Sequence, residues 1–134
     1  MRTITYFSIV VPNKTGEGAK ALEGLKAAGL NLTAFWGYPI KGRKACLEIA
    51  PDDPKALPKA LKTLGYVAGA KKTAFQFDGE DRPGVLAEVM SKLAAAGIGV
   101  HAVQAICAGA GRYGALLQVG DEDVKKAKKI LGAA

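Results

Sequence analysis

TGEGAKALEGLKAAGLNLTA, residues 15–34, and PGVLAEVMSKLAAAGIGVHA, residues 83–102, are two versions of one stretch. Set one above the other, Gly16 meets Gly84, Ala19 meets Ala87, Leu25 meets Leu93, and Ala27-Ala28-Gly29 meets Ala95-Ala96-Gly97. The offset is constant throughout, which marks an internal duplication of one supersecondary unit. Each copy keeps helical spacing of its apolar residues and then a glycine, the residue that ends helices in the left-handed conformation. A β-rich segment follows in both.

The duplication extends outward from there. LEIAPDDPKALPKALKTLG, residues 47–65, resembles LQVGDEDVKKAKKILG, residues 117–132, as strand, acidic turn and helix. ITYFSIVV and KTAFQFD supply the strand that opens each half, LNLTAFWGY and IGVHAVQAI the second, KACLEIA and YGALLQV the third. Pro54 is placed to open the second helix of the first half, with Asp52 or Asp53 as its cap. A last strand near YVAGA, residues 66–70, completes a βαββαβ unit, the ferredoxin-like motif. The fold class is thus α+β, two ferredoxin-like repeats spanning 1–70 and 71–134. The second repeat stops at Leu131-Gly132-Ala133-Ala134 without room for its last strand, so another segment or another subunit is expected to cover the open sheet edge.

Composition excludes several classes. The 134 residues are 49% hydrophobic and 23% charged, the balance of a folded globular chain and not of a disordered one. No run approaches the roughly 18 apolar residues of a membrane span, and MRTITYFSIVVPN reads as a strand and not as a targeting segment. Cys46 and Cys107 stand far apart without metal-binding spacing, as reduced thiols of a cytoplasmic protein do. His101 is the single histidine, so no histidine pair exists for metal or relay chemistry, and no cofactor is expected.

The net charge of +7 raises the question of an anionic partner. The cations fall at residues 41–44, at Lys71 with Lys72, and at residues 125–129, where Val124, Ala127 and Leu131 keep helical spacing and the lysines between form the solvated face. The aromatic and basic positions do not form the pattern of RNA-binding sheets, so a basic nucleic-acid-binding module is the alternative reading and not the expectation. AGAGR, residues 108–112, contains a GxG, but a strand follows it where a phosphate-cradling loop needs a helix; it reads as a hairpin loop. Nothing assembles a nucleophile with a base, and an enzyme is not expected.

The start of the second-half helix asks for an explanation. In DRPGVLAEV, residues 81–89, proline suits a first helical turn and Asp81 can cap the free amides. Glycine costs up to about 1 kcal/mol relative to alanine inside a helix. Gly84 therefore serves another purpose: close approach of a ligand to helix-start amides, or a tight packing or positive-φ requirement of the backbone itself.

Strand, Asp-x-Pro-Gly, apolar helix, Ala-Gly-Ile and strand over residues 81–100 resembles the ACT domain, a regulatory module that binds amino acids in many metabolic enzymes, and through the repeat the likeness covers nearly the whole chain. It resembles stand-alone proteins of two tandem ACT domains. The resemblance implies a non-catalytic sensor of a small amino acid or related carboxylate, a homodimer, and a regulated enzyme or protein as partner. A degenerate ACT pair serving as a protein-interaction scaffold is the other form such a chain takes.

The same resemblance implies a site between the strand-to-helix loop of one unit and the second strand of its neighbour. By position this names Asp81, Arg82, Pro83, Gly84, Val85 and Leu86 with Gly99 and His101, and in the first repeat Asn13, Lys14, Thr15, Gly16, Glu17 and Gly18 with Asn31 and Thr33. Helix-start amides can hold a carboxylate, and Asn13, Asn31 or Asp81 can accept from an ammonium. The first repeat departs from the pattern at Thr15, Glu17 and Gly18. Glu17 repels a carboxylate there but can meet an ammonium or Lys14, or it is an acid placed favourably in a first helical turn. His101 either touches ligand or is an exposed strand histidine. Alternation along the second strand sets Leu30, Leu32, Ala34 and Trp36 on one face and Asn31, Thr33, Phe35 and Gly37 on the other.

Overall fold

A computed structural model describes all residues, 1–134. Six strands and four helices follow in the order β1 (Arg2–Pro12), α1 (Glu17–Ala27), β2 (Leu32–Ile40), β3 (Lys44–Pro51), α2 (Leu57–Thr63), β4 (Lys72–Glu80), α3 (Val85–Ala95), β5 (Val100–Gly109), β6 (Arg112–Val119) and α4 (Val124–Leu131). They form two units, Thr5–Lys72 and a second made of Thr73–Ala134 together with Met1–Ile4. No helix is long and apolar enough to cross a membrane.

In the first unit β3 is central, antiparallel to both β1 and β2, with Phe7 opposite Ile49 and Ile49 opposite Phe35. Alternation then puts Phe7, Ile9, Val11, Leu47 and Ile49 on one face, where they bury against Ala21 and Leu25 of α1 and Leu57 and Leu61 of α2. Those four helical positions are at most 1% exposed, so this is a closed core. The second unit repeats it: β6 pairs with β4 and β5, and Phe75, Phe77, Leu117 and Val119 pack on Leu93 of α3 and Ala127 of α4. The lysines of residues 125–129 are exposed beside buried Ala127, the solvated face that their spacing implied.

The open edge of the second unit is covered by the chain's own beginning. Residues 2–4 of β1 lie beside β4, and Ala134 is bonded to the same segment, its N–H donating to Met1 O at 3.3 Å and its carbonyl accepting from Thr3 N at 3.2 Å. Arg2 Nε donates to Gln76 Oε1 on β4 at 2.7 Å.

Local details depart from the sequence reading at four places. Pro83 does not lie in the first turn of α3: Gly84 is the N-cap with φ 83°, and a left-handed residue interrupts the helical path before Pro83 is reached. Asp81 does not cap that helix, and no side chain does. The proline that opens α2 is Pro58 and not Pro54, because Asp53 Oδ1 accepts from Lys55 N at 3.1 Å and holds residues 53–56 in a turn. Residues 66–70 run beside β1 without a regular ladder, joined where Gly69 N donates to Ser8 O at 2.8 Å.

Bulges account for a fifth difference. The register of β2 shifts between Leu32 and Ala34, and that of β5 between Val100 and Ala102, at equivalent positions in the two repeats. A bulge inserts one residue and swaps the faces beyond it. Phe35 therefore shares the helix-side face with Ile49, while Trp36, opposite Glu48, lies on the other face with its ring tilted at 53° against that of Tyr6, centroids 5.2 Å apart.

Candidate functional site

Both strand-to-helix loops are built alike. Gly16 has φ 95° and Gly84 φ 83°, each as the N-cap of its helix, and a β-carbon on either would meet no atom within 4 Å. The glycines answer a backbone requirement, a positive φ that L residues adopt at a cost of roughly 1–2 kcal/mol. They also leave the helix start open. The first intrahelical bonds are Lys20 N to Gly16 O and Glu88 N to Gly84 O, so the amides of Gly18 and Ala19, and of Leu86 and Ala87, lie in the turn whose N–H groups have no helical acceptor.

Each loop is tied to a hairpin tip. Asn13 N donates to Arg43 O at 2.9 Å and Asp81 N to Gly111 O at 2.8 Å. Both tips use two consecutive left-handed residues, Gly42 and Arg43 (φ 80° and 57°) in a three-residue loop and Ala110 and Gly111 (φ 55° and 67°) in a two-residue one, the latter with the twist that two-residue hairpins favour. AGAGR is thus the hairpin loop expected. Charge in the second loop is already engaged: Arg82 Nη2 stands 2.7 Å from Glu88 Oε2 across the first turn of α3. That guanidinium holds the Glu88 carboxyl below its ordinary range.

Of the residues named from sequence, Asn13, Lys14, Thr15 and Gly16 come together in one exposed loop with Glu17 and Gly18 half-buried at the start of α1. Asp81, Arg82, Pro83 and Gly84 do the same in the other, with Val85 and Leu86 half-buried. Asn31 is not brought near its loop. Pro12 pairs at the end of the sheet where Lys44 faces Ile40, whereas Leu32 faces Pro51 at the opposite end; nine residues of β2 set these ends about 26 Å apart. Gly99 and His101 are likewise at the far end of their unit, with Val100 facing Val119. His101 is exposed on the bulge of β5.

Sequence reasoning missed a polar cluster on the first unit's sheet. Glu48, 4% exposed, accepts from Ser8 Oγ at 2.5 Å, from Tyr38 OH at 2.8 Å and from Cys46 Sγ at 3.3 Å. Burial, and secondarily the hydrogen bond to Glu48, pushes the Tyr38 hydroxyl well above its ordinary value. Burial also pushes the Cys46 thiol up, which keeps it protonated and unreactive. The available signal was the lone acid in the apolar run KACLEIA. All three partners are neutral donors, and together they satisfy the buried Glu48 side chain. No group of His, Cys, Asp and Glu side chains could hold a metal ion.

No protein-family model matches the chain, and no curated protein does. Solved structures do. A protein of Bacteroides thetaiotaomicron superposes with a TM-score of 0.82 at 22% identity, covering 97% of this chain and 87% of that one. The ligand-free regulatory subunit of aspartate kinase from Thermus thermophilus gives 0.66 at 15% identity over 98% of this chain and 91% of its own. A putative C-terminal regulatory domain of aspartate kinase from Porphyromonas gingivalis gives 0.56 at 17% identity, covering 97% and 91%. At these identities the likeness is one of fold: α+β, with ACT-like βαββαβ repeats.

Proposed function

We propose that the chain is a non-catalytic regulatory protein, a tandem of ACT-like repeats at 1–70 and 71–134, that binds a small amino acid or related carboxylate at its strand-to-helix loops. The observation that carries this reading is the pair of left-handed glycine N-caps, Gly16 and Gly84, with no side chain capping either helix. Amides at the positive end of a helix dipole are a carboxylate site. Asn13 or Asp81 in the same loop can accept from the ammonium. The fold shared with regulatory subunits of aspartate kinase supports a sensing role.

Asn31, Gly99 and His101 stand at the other end of their own units, so in this reading they complete a site in a second copy of the chain. The edges β2 and β5 favour such a homodimer, since every residue of β5 after Val100 is exposed, Ile106 at 72%. Ligand held by two copies would shift the balance between their arrangements by the difference in its affinity for each, and a regulated enzyme or protein in the cytoplasm would read that shift.

A thermal-shift panel of the common amino acids at low and high salt tests this, because a ligand that prefers the folded state raises the melting temperature. One amino-acid class should raise it at both salts, and Ala87→Pro, which removes an amide without a helical acceptor at an exposed position of the first helical turn, should abolish that rise while leaving the fold intact. Silence from every amino acid would sink the sensor reading in favour of a scaffold, and a salt-sensitive nucleotide response would put nucleic acid in its place.

A further inference from the structure

Helices α1 and α2 leave between them a groove of about 480 Å³, within the range of small-molecule sites. Its floor is Gly24, Ala27 and Ala28 from α1 and Ala56 and Ala60 from the other wall, with Leu64 at one side. Gly24 gives Leu64 its place there: a β-carbon at that position would stand 2.9 Å from the Leu64 methyls and displace them. Lys55 and Lys59 border the groove. Both are exposed, and the ammonium of neither takes part in an ion pair or a side-chain hydrogen bond.

The second repeat differs at the equivalent positions. Lys92 stands there in place of Gly24, and Lys126 in place of Lys59. Lys126 Nζ donates to the carbonyl of Ala96, the counterpart of Ala28, at 2.6 Å. That lysine is tied down across its helix pair. In the first repeat the lining is glycine and alanine, and the two lysines stay available.

We propose that this groove binds a small amphiphilic anion, an aliphatic carboxylate whose chain lies on the alanine and glycine floor and whose carboxylate meets Lys55 and Lys59. Apolar floor and unpaired cations at its border match both halves of such a molecule. A free amino acid is disfavoured, because its ammonium would face two lysines and no lining residue is acidic. A helical peptide is disfavoured by size: α2 has seven residues, about 10 Å of wall, too little for anchors spaced over two turns. The groove begins eight residues along α1 from the Gly16 loop, about 12 Å away, so it stands or falls independently of the amino-acid site.

Amide nitrogen-proton correlation spectra of the full chain, titrated in parallel with octanoate, octan-1-ol and octylamine, test the assignment. Octanoate should shift the amides of Gly24, Ala28, Ala60 and Thr63, bind at least tenfold more tightly than octanol, and leave octylamine without effect. The double variant Lys55→Gln, Lys59→Gln, which alters only exposed side chains, should bring octanoate down to the affinity of octanol and leave octanol unchanged. Gly24→Ala should weaken both. Absence of octanoate shifts, shifts centred outside these helices, equal binding of octylamine, or an unaltered octanoate affinity in the double lysine variant would each overturn the proposal.

Discussion

Gly84 is held left-handed at φ 83° with open space around it, so a side chain there meets a conformational cost and no clash. Gly84→Ala should lower stability by about 1 kcal/mol, and Gly84→Asn by less, because asparagine tolerates this region; chemical denaturation of the two variants decides it. Glu48 poses the opposite case, a residue fixed by its partners. Ser8→Ala would strip one donor from a buried carboxylate and should cost about 1–3 kcal/mol. The same cluster makes stability depend on alkaline pH. Cys46 and Tyr38 both have raised folded values, against ordinary ones of 9.0 and 10.0. Their contribution is complete below the unfolded values and is lost as pH rises toward the folded ones. The melting temperature should therefore fall above about pH 9, and fall less in Tyr38→Phe; identical profiles for the two proteins would remove Tyr38 from this account.

Elements were legible in the sequence to the extent that periodicity governs them. Leu25 and Leu93 mark the buried stripes of α1 and α3, and both are at most 1% exposed. Leu25→Ala and Leu93→Ala should each cost about 2–5 kcal/mol, and a change in only one unit's amide protection would show that each core belongs to its own repeat. Periodicity could not supply what the backbone decided locally. One bulge at Thr33 and another at His101 reset the faces of β2 and β5, and neither leaves a composition signal, so Phe35 was set on the wrong face. Pro83 reads as a helix starter because proline usually is one; the left-handed glycine after it places it outside. Between Pro54 and Pro58 the choice rested on Asp53 Oδ1 reaching Lys55 N, a contact of geometry and not of pattern. The loop residues of the candidate site were legible because the repeat aligns them. The groove beside Gly24 left one sign in the sequence, a glycine inside a helix, which marks close packing.

For the whole molecule, duplication was the most legible feature, and the exchange of a chain end the least. Met1–Ile4 belongs with Thr73–Ala134 and not with the residues that follow it. Ile4 is 8% exposed, and its segment supplies the neighbour of β4. Removing residues 1–4 should thus destabilise the second unit by about 3 kcal/mol and spare the first, a pattern that hydrogen exchange of β4 and β6 against β3 would reveal. Equal loss in both units would contradict the assignment of that segment.

This borrowing also imposes an order on synthesis. A ribosome releases the chain from its first residue onward, and domains fold as they emerge. The unit Thr5–Lys72 needs nothing made after residue 72. The other joins a segment made before that unit to residues made after it, because Met1–Ile4 belongs with Thr73–Ala134 and Ala134 is bonded to Met1 and Thr3. Its first strand segment must therefore wait, unpaired by β4, through the translation of everything between, and a nascent chain stalled before β4 would display that segment to any passing sheet edge or chaperone.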